Sequence, residues 1–293
     1  MKAPAFDYAK PASLSAVFAL MAEHGDEARL LAGGQTLMAT LNMRLSEPAL
    51  LIDINAVADL KGITVQAGVL RIGALATHTD VEASALVAEH APLLAMAAPH
   101  IAHRAIRNLG TFGGSIAYAD PSAEWPACLM ALDGVVVVRS VSAERRIAAK
   151  DFFLDLYTTA LKPDELIVAC EVPVKQAADA FAFDELARRH GDYAIVGLAV
   201  AAERVSGGAW GASGLTKLRL AYLGMGTTPL RARHTESRFT HQVLTSARLD
   251  EAVASLLAEL NPLADLTNSA ATKRHLAGVL ARRLLGALLE SKQ

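Results

Sequence analysis

The sequence predicts an α+β protein, and three observations predict it. In the first half, short apolar strand-like runs end at glycine pairs, and helix-like segments follow them. After residue 180 the strand-like runs come as a group, and Ala247 to Leu260 and Thr272 to Leu289 are helix-periodic. Strands and helices that cluster in separate parts of a chain belong to the α+β class rather than to regular βαβ alternation. No internal repeat or low-complexity tract suggests a solenoid.

Ser13 is placed as an N-cap, its hydroxyl able to accept from the first-turn amides of a helix running from Leu14 to about Gly25, whose Val17, Phe18, Leu20 and Met21 share one face. Ala28 to Ala32 is a strand leading into Gly33-Gly34. Leu37 to Leu45 is a short helix whose N-terminus faces that pair, and its dipole favours an anion there. Ala49 to Asp53 is another strand, and a second lobe opens near Leu60. Leu70 to Ala74, after a turn at Gly68, alternates as an antiparallel strand does. His78 to Ala88 and Leu93 to Ala98 are expected as helices, and Ala102 to Asn108 carries another toward the second glycine pair.

Trp125 to Leu132 is an apolar helix, Gly134 precedes the uninterrupted strand VVVVR, and Glu165 to Val172 (ELIVACEV) is a further strand. Lys175 to Ala180 is the linker candidate. Beyond it Ala180 to Arg188, Ala194 to Val205 and Lys217 to Tyr222 supply a second sheet. Ala247 to Leu260 and Thr272 to Leu289 are amphipathic helices, with Lys273-Arg274 and Arg282-Arg283 expected on the solvated face.

The chemistry concentrates in two glycine-centred segments, AGGQTL (Ala32 to Leu37) and TFGGSIAYADPSAE (Thr111 to Glu124). Each reads as a strand entering a tight turn. Without a Cβ, paired glycines let several backbone N–H groups converge on one anion, and a phosphate is the natural guest. Thr36 in the first, with Thr111 and Ser115 in the second, add hydroxyl donors. A lone Gly-Gly pair more often marks a hairpin or a strand end; two such segments together suit the halves of a pyrophosphate. Gly33-Gly34 and Gly113-Gly114 lack the third glycine of G-x-G-x-x-G and the Gly-Lys-Ser/Thr ending of a P-loop, so neither a Rossmann nor a Walker reading is supported.

Composition narrows the partners. The chain of 293 residues can bury roughly three quarters of its unfolded surface and is long enough for two or three domains. A formal net charge of −2 and the absence of long basic runs argue against nucleic acid or an anionic membrane held by bulk electrostatics. Cys128 and Cys170 stand far apart with no C-x-x-C, so the chain by itself builds neither a Cys-ligated iron–sulfur cluster nor a structural zinc site. His78, His100, His103 and His190 do not have metal-ligand spacing; His100 and His103 could share a helical face, but a third ligand is missing. No metal is therefore expected on this chain. The N-terminus has no apolar signal-like region and no long apolar run follows, so a cytoplasmic location without a membrane span is expected. Hydrophobic residues make up 53% and aromatics only 5%, an aliphatic composition that suits a subunit of an assembly and is equally ordinary in alanine-rich proteins of GC-rich genomes.

Taken in order and spacing, AGGQTLMATLNMRL, TFGGSIAYADPSAEWPA, DELIVACEVP and RRHGDYAIVG resemble the flavin-binding medium subunit of the molybdenum hydroxylases. This is the xanthine dehydrogenase family, which includes the medium subunits of aerobic carbon monoxide dehydrogenase and of nicotine and other N-heterocycle hydroxylases. The resemblance covers nearly the whole chain. It implies a two-lobed FAD-binding domain of the vanillyl-alcohol-oxidase (PCMH) type over 1–175, with lobes of about 1–60 and 61–175. A carboxy-terminal domain of sheet plus helices over 180–290 would follow it, with FAD lying between the lobes.

By the same resemblance Ala32, Gly33, Gly34, Gln35, Thr36 and Leu37, with Thr111, Gly113, Gly114 and Ser115, are the pyrophosphate-binding segments, and Ala102 joins the cofactor contacts. Glu124 stands where the family usually has an aspartate near the ribityl and ribose hydroxyls, one methylene longer. Leu166 and Ile167 match apolar residues beside the flavin. Tyr193 matches an aromatic residue that covers one face of the isoalloxazine in some members, the alternative for it being a core position. Relatives commonly carry a lysine ahead of the paired arginines, whereas FDELARR offers Asp184 and Glu185. An acidic group at the flavin N1–C2=O edge would disfavour the anionic reduced flavin and lower its potential.

The resemblance further implies that substrate oxidation takes place at a molybdenum cofactor in a separate large subunit. Electrons would reach FAD through [2Fe–2S] clusters of a small subunit and leave for an external acceptor, in a dimer of heterotrimers. No catalytic side chain is then expected here, in keeping with the lack of a nucleophile or Ser/His/Asp arrangement in the motif regions. Two other readings stand beside it: a self-contained flavin oxidase of the same fold, and a non-catalytic nucleotide-binding scaffold subunit.

Overall fold

The structure is a computed structural model that describes residues 2–205, 214–240 and 242–290. The chain opens with β1 (Asp7–Ala9), α1 (Leu14–His24), β2 (Ala28–Leu31), α2 (Leu37–Asn42) and β3 (Leu50–Asp53), and the three strands form a parallel sheet in the order β1-β3-β2. Ser13 caps α1 as expected, accepting from Ala16 N, and Gly25 ends it with φ 50°. Leu14, Val17 and Phe18 on the buried face of α1 pack against Leu50 and Ile52.

The second lobe contains β4 (Ile63–Gln66), β5 (Val69–Gly73), α3 (His78–Ala83), α4 (Ala85–His90), α5 (Pro92–Ala97), α6 (Arg104–Arg107), α7 (Phe112–Tyr118), α8 (Glu124–Ala131), β6 (Val135–Arg139) and β7 (Glu144–Ala148). The short α9 (Ala149–Phe152), the β8 (Phe153–Asp155) and β9 (Thr158–Thr159) hairpin, and β10 (Leu166–Pro173) complete it. Its antiparallel sheet runs β4-β5-β10-β6-β7. Both faces are covered, which explains the unbroken apolar run VVVVR. Val136 and Val138 join a core with α5, α7 and α8, while Val137 joins α1 and β3 on the opposite side. The first lobe is thus sealed onto the back of the second lobe's sheet.

The helix expected over His78 to Ala88 is two helices. Thr77 and Asp80 form a reciprocal capping box on α3, and Ser84, extended in backbone, accepts from Val87 N to start α4. The third expected helix, over Ala102 to Asn108, shrinks to the single turn of α6 because Ala102 adopts φ 44°.

In the carboxy-terminal part, β11 (Asp179–Leu186), β12 (Val196–Val205), β13 (Gly214–Leu223) and β14 (Leu230–Arg231) form an antiparallel sheet in sequence order, followed by α10 (Arg233–Arg238), α11 (Leu249–Glu259) and α12 (Ala270–Glu290). One face packs against α11 and α12 through Leu198, Val200, Leu220, Leu256 and Leu280. The other presents Phe183, Ala199, Ala221 and Leu223 to the core built around α5 and α8. At that junction Arg231 donates to both carboxylate oxygens of Glu236 at 2.6 Å, to Met130 O at 2.8 Å and to Asp133 at 2.8 Å, so one buried guanidinium ties β14 to the end of α8.

Lys273 departs from its expected solvated place. It is buried, donating to Gly224 O at 2.9 Å and pairing with Asp265 at 2.9 Å. The Gly224 N–H in turn donates to Pro121 O at 2.8 Å, which makes the lysine part of a strut from α12 to the loop before α8. Arg274 donates to Leu260 O, Arg282 pairs with Asp250, and Arg283 pairs with Asp184 at 2.5 Å. Arg282 and Arg283 remain exposed, as the periodic pattern predicts, while pairing with neighbouring elements; Lys273 alone of the four is buried.

Trp125, fully buried, stacks on Phe112 at 4.9 Å and donates from Nε1 to His78 Nδ1 at 2.9 Å. Burial, with the Arg107 guanidinium adding, lowers the imidazole pKa from 6.5 to about 4. Between those values the unfolded chain binds more protons than the folded one. This contribution to stability is complete above pH 6.5 and is lost as the pH falls toward 4, by about 3 kcal/mol in total. His78→Gln keeps an acceptor for the indole and cannot titrate, so urea unfolding of the variant is expected to show a flatter stability curve across that window. Parallel curves for the two proteins would refute the assignment.

Candidate functional site

The first glycine segment leaves β2 at Leu31 and enters α2 at Leu37. Asn55 anchors its start: Nδ2 donates to Ala32 O at 2.8 Å and to Asp53 Oδ1 at 2.7 Å, and Asp53 is itself held by the Tyr8 hydroxyl and by Lys10 at 3.3 Å. Gly34 takes φ 71°, and Gln35 folds back so that Nε2 donates to Gly33 O at 3.0 Å. Thr36 occupies the N-cap position of α2 but its hydroxyl does not cap the helix. Among the described residues, the N–H groups of Gly34, Gln35 and Thr36 meet no protein acceptor. These donors, backed by the short α2, are free for an anion.

The second segment is built differently from its expectation as a tight turn. Gly113 and Gly114 lie in the first turn of α7, capped by Thr111, whose Oγ1 accepts from Gly114 N at 3.1 Å. Phe112 N donates to Ala76 O at 2.8 Å, Gly113 N to Ala74 O at 2.9 Å and Ser115 N to Thr111 O at 3.0 Å. Most amides here are therefore committed to the protein. The hydroxyls of the segment are Thr111, 3% exposed, which accepts through Oγ1 and keeps its own proton to donate, and the half-buried Ser115.

The two segments meet. A Cβ on Gly33 would fall 2.1 Å from Leu109 O and 2.7 Å from Gly110 Cα; one on Gly113 would fall 2.6 Å from Ala74 Cβ, and one on Gly114 would fall 2.7 Å from Thr111 Oγ1 and 3.9 Å from Ala32 Cβ. Glycine is required at Gly33 and Gly113 by close backbone approach and at Gly34 by its positive φ. The result is a cradle in which the free amides of the first segment lie beside the second.

From the cradle the chain runs through Asp120 to Glu124, the first residue of α8. Burial, with the field of Asp120 adding, lifts the Glu124 carboxyl to about 7, and burial also raises Asp120 although Ser122 N donates to it at 2.9 Å. Tyr118 packs on Tyr157 with ring centroids 4.9 Å apart. Tyr193 is 69% exposed, within electrostatic reach of Asp120, Tyr118 and Glu124, so it is a presented ring and not a core residue. Ala102 approaches the same segment, since a Cβ on Gly191 would lie 3.2 Å from its carbonyl carbon. Its positive-φ carbonyl is held, with that of Ile101, by Arg107 Nη1.

Leu166 and Ile167 sit on β10, 5% and 3% exposed. Their side chains enter different cores, Leu166 toward α1 and Ile167 toward α5 and α8, so neither presents an apolar side chain to open space. Of the two acidic residues in FDELARR, Asp184 turns to Arg283 while Glu185 turns inward, its Oε1 lying 3.9 Å from His100 Nδ1. His100 closes a 3₁₀ turn and His103 precedes α6, so they do not share a helical face. Among the described residues no group of three or more His, Cys, Asp or Glu side chains is disposed to hold a metal. Sequence reasoning did not single out Asn55, Tyr118, Asp120 or Tyr157. The signal for Tyr118 and Asp120 lay inside the quoted motif, whereas Asn55 and Tyr157 are brought in only by tertiary contacts.

Comparison with known proteins shows the family. Residues 4–175 match the family described as the FAD binding domain in molybdopterin dehydrogenase, and residues 181–288 match the CO dehydrogenase flavoprotein C-terminal domain. The chain is 37% identical to the 6-hydroxypseudooxynicotine dehydrogenase complex subunit alpha of Paenarthrobacter nicotinovorans, over 99% of this chain and 96% of that protein. It is 34% identical to the carbon monoxide dehydrogenase medium chain of Hydrogenophaga pseudoflava, over 97% of each. Among solved structures, carbon monoxide dehydrogenase from Hydrogenophaga pseudoflava superimposes with a TM-score of 0.92 at 34% identity, covering 98% of both chains. Quinoline 2-oxidoreductase from Pseudomonas putida 86 gives 0.92 at 33% identity, covering 99% of both.

Proposed function

The chain belongs to the FAD-binding flavoprotein family of the molybdopterin dehydrogenases, and from that premise we propose that it takes electrons from the [2Fe–2S] clusters of a small partner subunit and passes them to an external acceptor. It is the FAD-carrying medium subunit of a molybdenum hydroxylase, an oxidoreductase component. The reducing substrate is handled by a large subunit holding the molybdenum cofactor, in a dimer of heterotrimers located in the cytoplasm. The observation that carries the cofactor reading is the cradle: the amides of Gly34, Gln35 and Thr36 have no protein acceptor among the described residues, and their segment lies against the chain leading into Thr111, a Cβ on Gly33 falling 2.1 Å from Leu109 O.

These residues fit a dinucleotide. The diphosphate would accept from the first-segment amides and from the Thr36, Thr111 and Ser115 hydroxyls, with Leu37 opening the helix behind them. Glu124 would accept from sugar hydroxyls, and Tyr193 would cover one face of the flavin ring near Ala102. Leu166 and Ile167, buried in separate cores, would support this site from behind without touching the ring through their side chains. When bound, FAD supplies the chemistry, taking electrons singly and releasing a pair, while the chain's residues bind, orient and shield it. We assign this work to residues 1–175, with lobes 1–60 and 61–175, and assign closure of the far side of the ring to residues 180–290.

Affinity purification of the tagged chain from its own host tests the assembly. One flavin with about four iron atoms, as two [2Fe–2S] clusters require, and molybdenum in the same complex is the expected result. Flavin without iron or molybdenum, together with bleaching of the isolated chain by an alcohol or amine alone, would instead establish a self-contained oxidase.

A further inference from the structure

Glu185 has no role in the cofactor contacts described so far, yet its side chain is 5% exposed and its Oε2 is the only buried side-chain polar atom among the described residues without a hydrogen-bond partner. Buried polar atoms are almost always paired, so the partner of this one lies outside the described residues. His100 Nδ1, 3.9 Å from the other carboxylate oxygen, is beyond hydrogen-bond distance.

The groups around it are His100 from the turn after α5, Glu124 and Cys128 from α8, and Asp184 on its own strand, the last neutralised by Arg283 of α12. Burial first, then the fields of Glu124 and Asp184, push the Glu185 carboxyl up to about 8. At neutral pH it therefore carries a proton and is a donor. Glu124, its neighbour across the junction, opens the helix that follows the Asp120 and Tyr118 segment of the cradle.

We propose that Glu185, in its acid form, is a cofactor contact that donates a hydrogen bond from Oε2 to an acceptor on the flavin ring. The inference rests on the FAD reading of the site. It makes two properties separable: the hydrogen bond supports cofactor affinity, and loss of the proton adds a pH dependence to the flavin potential.

Glu185→Gln and Glu185→Leu are prepared in the complete complex, with Asp184→Asn as a control. FAD affinity is measured by reconstitution, and the flavin midpoint potential is measured by spectroelectrochemistry from neutral to alkaline pH. The wild-type potential is expected to bend in its pH dependence near the titration of Glu185, and Asp184→Asn is expected to keep the bend. Glu185→Gln, which donates but does not titrate, should hold FAD within about twofold of wild type and lose the bend, whereas Glu185→Leu should bind about tenfold more weakly. Wild-type affinity in the leucine variant, or a bend that survives in the glutamine variant, overturns the proposal. Because the glutamine variant is isosteric, it decides the question even where the leucine variant does not fold. Wild-type complex that contains no flavin would sink the cofactor reading itself and would be recognised before any variant is compared.

Discussion

Gly33→Ala is expected to strip FAD from the subunit while leaving the chain folded. The added methyl would stand 2.1 Å from Leu109 O and 2.7 Å from Gly110 Cα, so the obstacle is main chain on the opposing segment and not a side chain that can swing away. Relief requires the two walls of the cradle to separate. Overpacking of this kind costs about 3 kcal/mol, which corresponds to roughly a 100-fold weaker dissociation constant if it falls on the bound state. The helical core around Trp125 and Phe112 is not touched. Flavin absorbance per chain after gel filtration, with circular dichroism to check folding, measures the effect. Gly34→Val, which imposes φ 71° on a β-branched residue, and Gly114→Val, which meets Thr111 Oγ1 at 2.7 Å, are expected to act in the same direction. Folded variants with full flavin content would show that the diphosphate does not lie between these segments.

The largest loss of stability is expected from Arg231→Met. The Arg231 and Glu236 side chains are 7% and 8% exposed, and the arginine also holds Met130 O and Asp133 at the end of α8. Its removal leaves Glu236 with the Leu220 N–H at 2.8 Å as the remaining partner of its side chain among the described residues, and leaves Met130 O with only main-chain donors at the end of α8. Breaking a buried pair from one side costs about 3–5 kcal/mol, because the stranded charge keeps its desolvation cost without its counter-ion. For a domain of this size that lowers the melting temperature by roughly 10 °C. Adding Glu236→Gln should recover part of the loss by removing the stranded charge. A single variant that melts within about 1 kcal/mol of wild type would mean that water or a rearranged carboxylate replaces the guanidinium.

The elements most legible in the sequence were those fixed by neighbouring residues. Ser13 caps α1 through an amide three positions away, and Gly25 ends it by its own φ. VVVVR reads as a strand buried on both faces because no alternation is needed when both faces are covered. Where a distant partner competes, the reading changed. Gly113-Gly114, which reads locally as a turn, is drawn into a helix because carbonyls of Ala74 and Ala76, some forty positions earlier by the numbering, take the amides of Phe112 and Gly113. Lys273 sits on a face that periodicity assigns to solvent, yet Gly224 and Asp265 hold it inside. Leu166 and Ile167 are recognisably apolar strand residues, but only the sheet's position between two cores decides that neither side chain is presented.

By itself, then, the sequence determined the α+β class, the family and the positions of the two glycine segments, because these depend on backbone freedom and short-range pattern carried within each segment. Only the tertiary structure decided that the free amides lie in the first segment while those of the second are committed to the protein, that Asp184 faces Arg283 while Glu185 turns inward beside His100, and that Tyr193 is a presented ring. Those outcomes depend on which atoms from remote parts of the chain compete for the same donor, acceptor or volume, and that competition exists only once the sheets have packed.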